Sequence, residues 1–246
     1  VATRCCASTA CPACIENTMI DVNPWRREAV EILRAEFGPR LLFVGLQGSY
    51  RRGEAREDSD IDILTILDKV KLDDLAAYRK VLRSLPEGEK ACGFTCGKEE
   101  LAAWPAFEIF QFSQDIEAYY GDLAPLLPAF TRQDVVTGAR AGVSALYHLA
   151  AYFYVSGAEA TRADDLKGLY KSFFFSMQVV HYLRSGVYAK SKRELLPLLA
   201  GGEAEILRLG MDASLYEERK LSDPDSLFRL LHYWSGGVLL EFGPKP

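Results

Sequence analysis

The sequence predicts an α+β chain in which a small mixed-sheet domain precedes an all-helical bundle domain. Three observations predict it. Short runs rich in β-branched and aromatic residues fall before residue 121, helical patterns dominate from about residue 122, and 49% hydrophobic residues in a chain of 246 suffice for buried cores. Gly121-Asp122, or the stretch from Pro125 to Pro128, marks the boundary, giving domains at 19–121 and 122–246 behind a cysteine-rich extension at 1–18. With no internal repeat or low-complexity linker, the two domains should pack closely and leave a ligand cleft between them.

The elements follow in order. Cys5, Cys6, Cys11 and Cys14 crowd the first residues. The Cys11-Pro-Ala-Cys14 spacing suits half a zinc site, while Met19 as a natural start would make 1–18 an upstream extension; either reading is favoured over a catalytic role. Asn23 can cap a helix with Pro24 at its first position, and Trp25, Ala29, Ile32, Leu33 and Phe37 recur at helical spacing until Gly38-Pro39. Leu41 to Leu46 reads as a buried strand that stops at Gly48-Ser49, and Ile63 to Leu67 as a second. Leu72 to Leu85 is helical, Pro86-Glu-Gly88 a turn, and two further strands are expected at Ala91 to Cys96 and Phe107 to Phe112. Helices are expected at Thr131 to Ser156, Ala163 to Ser185, Ser191 to Leu199 and Ser226 to Phe242, with breaks near Gly157, Gly186, Gly201-Gly202 and Pro224.

Charge and hydropathy exclude some function classes. No apolar run approaches the ~20 residues of a membrane span, and nothing has the basic start and apolar core of a secretory signal, so the expectation is a cytoplasmic protein. A net charge of −5 gives no general attraction to nucleic acid, which disfavours a nucleic-acid acceptor and better suits a cationic one. Oligomeric state is not fixed by the sequence. Cys92 and Cys96 lie in an apolar stretch and read as buried thiols. His148, His181 and His232 each sit in a helical pattern among aromatic residues, and Tyr170, Phe173, Phe174 and Phe175 recur as a core stripe.

The chemistry concentrates between residues 44 and 64. Glycine at 48 lets backbone N–H groups approach an anion, and the Ser49 hydroxyl adds a donor to a phosphate oxygen. Asp60 and Asp62, two apart at the start of a strand, project from the same side, roughly 6 to 7 Å apart along the backbone. Two carboxylates so placed can share Mg²⁺ with substrate phosphates. A solvated acidic loop tip containing Glu54, Glu57 and Asp58 would explain the charge, but not the strand-bounded Gly-Ser and paired aspartates.

This pattern, Gly48-Ser49-x-x-Arg52-Gly53 with Ser59-Asp60-x-Asp62, resembles the DNA polymerase β-type nucleotidyltransferase superfamily, and most of all its bacterial branch of aminoglycoside and minimal nucleotidyltransferases. The resemblance implies a Mg²⁺-dependent transfer of a nucleoside monophosphate, AMP from ATP, onto a hydroxyl of a small molecule such as an aminoglycoside. It implies that Asp60 and Asp62 are catalytic and hold metal, and that Gly48, Ser49 and Arg52 bind the triphosphate. Lys192, in Ser191-Lys192-Arg193-Glu194, also matches a phosphate-contacting segment, although Ser191 with Glu194 equally reads as a capping box. Arg51 and Arg56 read as solvated. The family's third carboxylate falls on Cys92 here, which leaves Glu89, Glu108 and Asp115 as candidates for its role. That departure keeps a second reading open, in which the domain is a nucleotide-binding regulatory or antitoxin-like module that turns over weakly or not at all.

Overall fold

The computed structural model describes residues 20–159 and 161–244. The expected features of Cys5, Cys6, Cys11 and Cys14, and of an extension at 1–18, lie outside the described residues. Helix α1 (Val22–Phe37) leads into strand β1 (Leu41–Leu46), the short helix α2 (Gly48–Arg52) and strand β2 (Ile61–Leu67). Helix α3 (Leu72–Ser84) crosses to strand β3 (Ala91–Gly97), followed by helices α4 (Lys98–Ala102) and α5 (Ala106–Asp115) and strand β4 (Glu117–Tyr120). The sheet order is β3-β2-β1-β4, with β2 and β3 parallel and both partners of β1 antiparallel to it. The parallel pair requires a crossover, which α3 supplies.

Each face of the sheet is covered. Trp25, Ala29, Leu33 and Phe37 of α1, at helical spacing, pack with Tyr78, Val81 and Leu82 of α3 on one face. Leu101 of α4 and Ile109 of α5 pack on Phe43, Leu64 and Ile66 on the other. The helical half consists of α6 (Arg132–Ser156), α7 (Arg162–Ser185), α8 (Lys192–Leu195), α9 (Gly201–Met211), α10 (Ala213–Ser222) and α11 (Pro224–Glu241). Phe110 of α5 belongs to that half's core, meeting the rings of Tyr182 and Tyr188 at 4.6 and 5.5 Å between centroids. The two halves therefore share a packed seam. No helix among the described residues is long and apolar enough to cross a membrane.

Several local expectations are corrected. Phe107 to Phe112 is not a strand but the middle of α5, and the fourth strand comes later, at β4. The physical reason is that this apolar segment has two burial directions: Ile109 faces the sheet and Phe110 the bundle, so its hydrophobicity does not alternate. Glu108 and Asp115 accordingly lie on a helix. Asp21 rather than Asn23 caps α1, its carboxylate accepting from the Asn23 N–H at 3.0 Å. Gly201-Gly202 begins α9 rather than only breaking a helix, α10 adds a helix the periodicity did not resolve, and the expected helix at 191–199 is one turn of α8 plus a 3-10 turn at Leu196–Leu198. Cys96 is buried as expected, but Cys92 is exposed.

Candidate functional site

One edge of the sheet gathers the motif. Leu46, the last residue of β1, pairs with Ile63 of β2 and Glu117 of β4, while Asp62 stands opposite Cys92 of β3. The end of β1 and the starts of β2, β3 and β4 thus meet at a single edge. The Gln47 N–H donates to the Asp62 carbonyl at 2.9 Å, and the chain then turns through Gly48 at φ +74° into α2. A Cβ at Gly48 would lie 1.8 Å from Oδ2 of Asp62. Only glycine lets the turn close directly over that carboxylate. The first N–H groups of α2, including those of Gly48 and Ser49, lack intrahelical acceptors, which suits them to an anion.

Asp60 is exposed just before β2, and Asp62 is half-buried on it. Burial raises the Asp62 pKa, an effect opposed by the Cys92 thiol and Arg52 and reinforced by the neighbouring charge of Asp60. Cys92 Sγ donates to Asp62 Oδ1 at 3.6 Å, and burial, then Asp62 and Asp60, push that thiol up to about 11. The position opposite Asp62 therefore carries a neutral thiol. Among the described residues no group of three or more His, Cys, Asp and Glu side chains is arranged to hold a metal ion. Two adjacent carboxylates remain, hard oxygen donors that fit a Mg²⁺ completed by substrate phosphates.

Arg52 and Lys192, 140 positions apart in sequence, come together on Glu54. Arg52 Nε donates to Glu54 Oε2 at 3.3 Å, the Lys192 N–H donates to Oε1 at 2.7 Å, and Lys192 Nζ lies 3.7 Å from Oε2. Arg52 also faces the rings of Phe174 and Phe175 at 5.6 and 5.4 Å, and Lys192 faces Phe174 at 5.4 Å. Burial lowers the Lys192 pKa; Glu54 raises it, and the charges of Arg52 and Arg56 lower it further. The N-cap part of the alternative reading also stands, since Ser191 Oγ accepts from the Glu194 N–H at 3.1 Å. Glu194 closes no reciprocal bond to Ser191, because its carboxylate takes the Lys190 N–H at 2.8 Å. Arg51, half-buried, reaches the Gln114 carbonyl at 3.4 Å, while Arg56 is exposed as expected and reaches the Met211 carbonyl at 3.3 Å.

A cleft of about 550 Å³ opens beside this cluster, lined by Arg51, Arg52, Ile116, Glu117, Lys190 and Ser191 among others. Of the three acids considered for the missing role, Glu89 is exposed and Glu108 is exposed and accepts from Trp104 Nε1 at 2.7 Å. Asp115 differs. It is buried at the end of α5, its Oδ2 accepts from Tyr188 OH at 2.9 Å, and its Oδ1 has no hydrogen-bond partner. Burial raises its pKa against the opposing effects of Tyr188, Arg52, Arg51 and Lys190. Glu54 and Tyr188 carried no signal in the sequence, because their partners lie 138 and 73 positions away.

Comparison with known proteins agrees with this geometry. Residues 26–103 match the family model described as a nucleotidyltransferase domain. Over 57 residues the chain is 44% identical to the protein adenylyltransferase MntA of Thermococcus cleftensis, a match covering 22% of this chain and 56% of that relative. The chain thus spans about half the length of the curated relative it matches. The fold is also that of the spectinomycin adenyltransferase AAD(9) from Enterococcus faecialis, solved with ATP and spectinomycin: TM-score 0.58 and 13% identity over 87% of this chain and 98% of that one.

Proposed function

We propose, from the match of residues 26–103 to the nucleotidyltransferase domain model, that the chain moves AMP from ATP onto a hydroxyl of a small molecule, in a reaction dependent on Mg²⁺. The observation that carries the reading is the closure of Gly48 over Asp62, which sets a phosphate-approachable turn against a carboxylate at one edge of the sheet. Mg²⁺ held by Asp60 and Asp62 would neutralise charge on the phosphates. The chain's own residues do the rest. Gly48 and Ser49 seat the phosphates, Arg52 and Lys192 supply positive charge from the two halves, and the seam between the halves orients the acceptor. Positioning and charge neutralisation account for most of the acceleration in such transfers.

A small-molecule acceptor, an aminoglycoside first, is favoured over a protein hydroxyl because the likeness to the spectinomycin enzyme extends through the helical half, whereas the likeness to the protein adenylyltransferase covers 57 residues. A second reading, a regulatory module with little turnover, draws on one observation, the thiol of Cys92 opposite Asp62 where an acid is expected. Titration of ATP with and without Mg²⁺, followed by pyrophosphate release in the presence of spectinomycin or streptomycin, separates the two. Metal-dependent binding with acceptor-stimulated pyrophosphate release is the expected result; binding without release on any acceptor favours the module.

A further inference from the structure

The carboxylate of Glu54 occupies a seat whose other members are all donors. Arg52 contributes Nε, and Lys192 contributes both its backbone N–H and its ammonium. The Glu54 side chain is 15% exposed and that of Arg52 is 7% exposed, so the pair is held away from bulk water, where charge interactions are strong. Its place is fixed by the motif itself: the Glu54 N–H donates to the Ser49 carbonyl at 2.9 Å, immediately behind the phosphate turn. Arg52 lies one helical turn beyond Ser49, on the same short helix. On the reading above, in which Gly48, Ser49, Arg52 and Lys192 seat the phosphates, an incoming anion meets a guanidinium and an ammonium already engaged by an anion of the protein.

We propose that Glu54 is a stand-in for a nucleotide phosphate: in the nucleotide-free protein it holds Arg52 and Lys192, and it competes with the incoming triphosphate for them. The inference rests on the nucleotide reading above and deepens it, by making nucleotide loading and the contact between the two halves opposing equilibria. Glu54 joins Arg52 of the first half to Lys192 of the second, so a triphosphate that draws those cations away loosens that tie. The chemistry of the ligand is a polyphosphate, which offers several charged oxygens where the carboxylate offers two. Glu54 then tunes affinity downward. It is a competitor for the cations rather than a catalytic residue.

The test is the MgATP affinity of the full chain carrying Glu54→Gln, measured by calorimetric titration beside the wild type. The amide keeps the shape and an oxygen for the Lys192 N–H while removing the competing charge. About tenfold tighter binding is expected, with a lower melting temperature in the absence of nucleotide. Unchanged or weaker binding overturns the inference, because a merely structural glutamate predicts that direction. Should Glu54→Gln fail to melt cooperatively, Glu54→Ala carries the same test with the same sign. Wild-type protein that binds no MgATP would instead sink the nucleotide reading and this inference with it, a result distinguishable from an unfavourable comparison between variant and wild type.

Discussion

Replacing Gly48 by alanine separates stability from chemistry in a single change. The new Cβ would sit 1.8 Å from Asp62 Oδ2, so the carboxylate must retreat by about 1.6 Å to reach the ordinary contact distance of 3.4 Å. The obstacle is the far end of a side chain, so the fold can yield; what it yields is the position of Asp62. The φ of +74° adds a backbone cost of about 1–2 kcal/mol for a residue with a Cβ. For a chain of this size that corresponds to a drop of roughly 2–8 °C in Tm. Displacement of a reacting group by about 1 Å costs on the order of 100-fold in rate. Gly121→Ala makes the contrast: its Cβ would meet the backbone oxygen of Leu42 at 2.0 Å, an atom of β1 that has nowhere to go. That variant should lose more stability, yet its folded fraction should retain turnover. Differential scanning calorimetry and pyrophosphate release, normalised to folded protein, read both quantities. Gly48→Ala with a third or more of wild-type turnover would refute the reasoning, as would a Gly48→Ala protein that melts earlier than Gly121→Ala.

Other outcomes follow from the same geometry. Asp60→Asn and Asp62→Asn should each lower pyrophosphate release at least ~100-fold with Tm nearly unchanged, and full turnover in either removes that residue from the mechanism. Cys92, held up to about 11, and Cys96, buried and held up to about 12, should react slowly with iodoacetamide at pH 8 and faster as pH rises toward those values; peptide mapping that finds Cys92 or Cys96 rapidly labelled in native protein at pH 8 contradicts this. Arg40 grips Asp74 through two hydrogen bonds at 2.7 and 2.9 Å, depressing its carboxyl to about 2. Because the folded pKa is depressed, the stabilisation is complete above the unfolded value near ~3.9 and fades as pH falls through about 2. Thermal melts of Asp74→Asn should thus fall below wild type at pH 7 and converge with it near pH 2; an equal deficit at both pH values argues against the ion pair.

The parts of this molecule legible in the sequence are those decided within a few residues. Trp25, Ala29, Leu33 and Phe37 mark α1 because one face of a helix is buried, and Leu41 to Leu46 reads as a strand because its apolar run is short and ends at Gly48. Gly48 and Asp62 could each be singled out in advance because the motif sets them in one short segment that joins β1 to β2. Segment 107–112 misled because its burial is split between two partners that lie far apart in sequence, the sheet on one side and Tyr182 and Tyr188 on the other. Asp21 does not stand out as a cap because Pro24 makes Asn23 look like the last residue before the helix. Lys192 could be singled out by resemblance, but its partner Glu54 could not, since it reads as one more acid on an acidic loop until the chain folds back on it.

Arg52 is the charge on which the site's electrostatics turn. It favours the ionised forms of Asp62 and Asp115 and disfavours protonation of Lys192, so each of the three groups feels the same guanidinium in a different sense. A guanidinium 7% exposed would cost several kcal/mol if unpaired. Glu54 removes that cost and at the same time offsets the repulsion between Arg52 and Lys192, which is why one acid can serve two cations drawn from opposite halves of the chain. A polyphosphate meets the same two needs with more oxygens and more charge. On the proposed reading, the pairing that satisfies both cations in the nucleotide-free protein is the one a nucleotide replaces, and the side chains proposed to seat the phosphates also add a tie to the seam packed around Phe110.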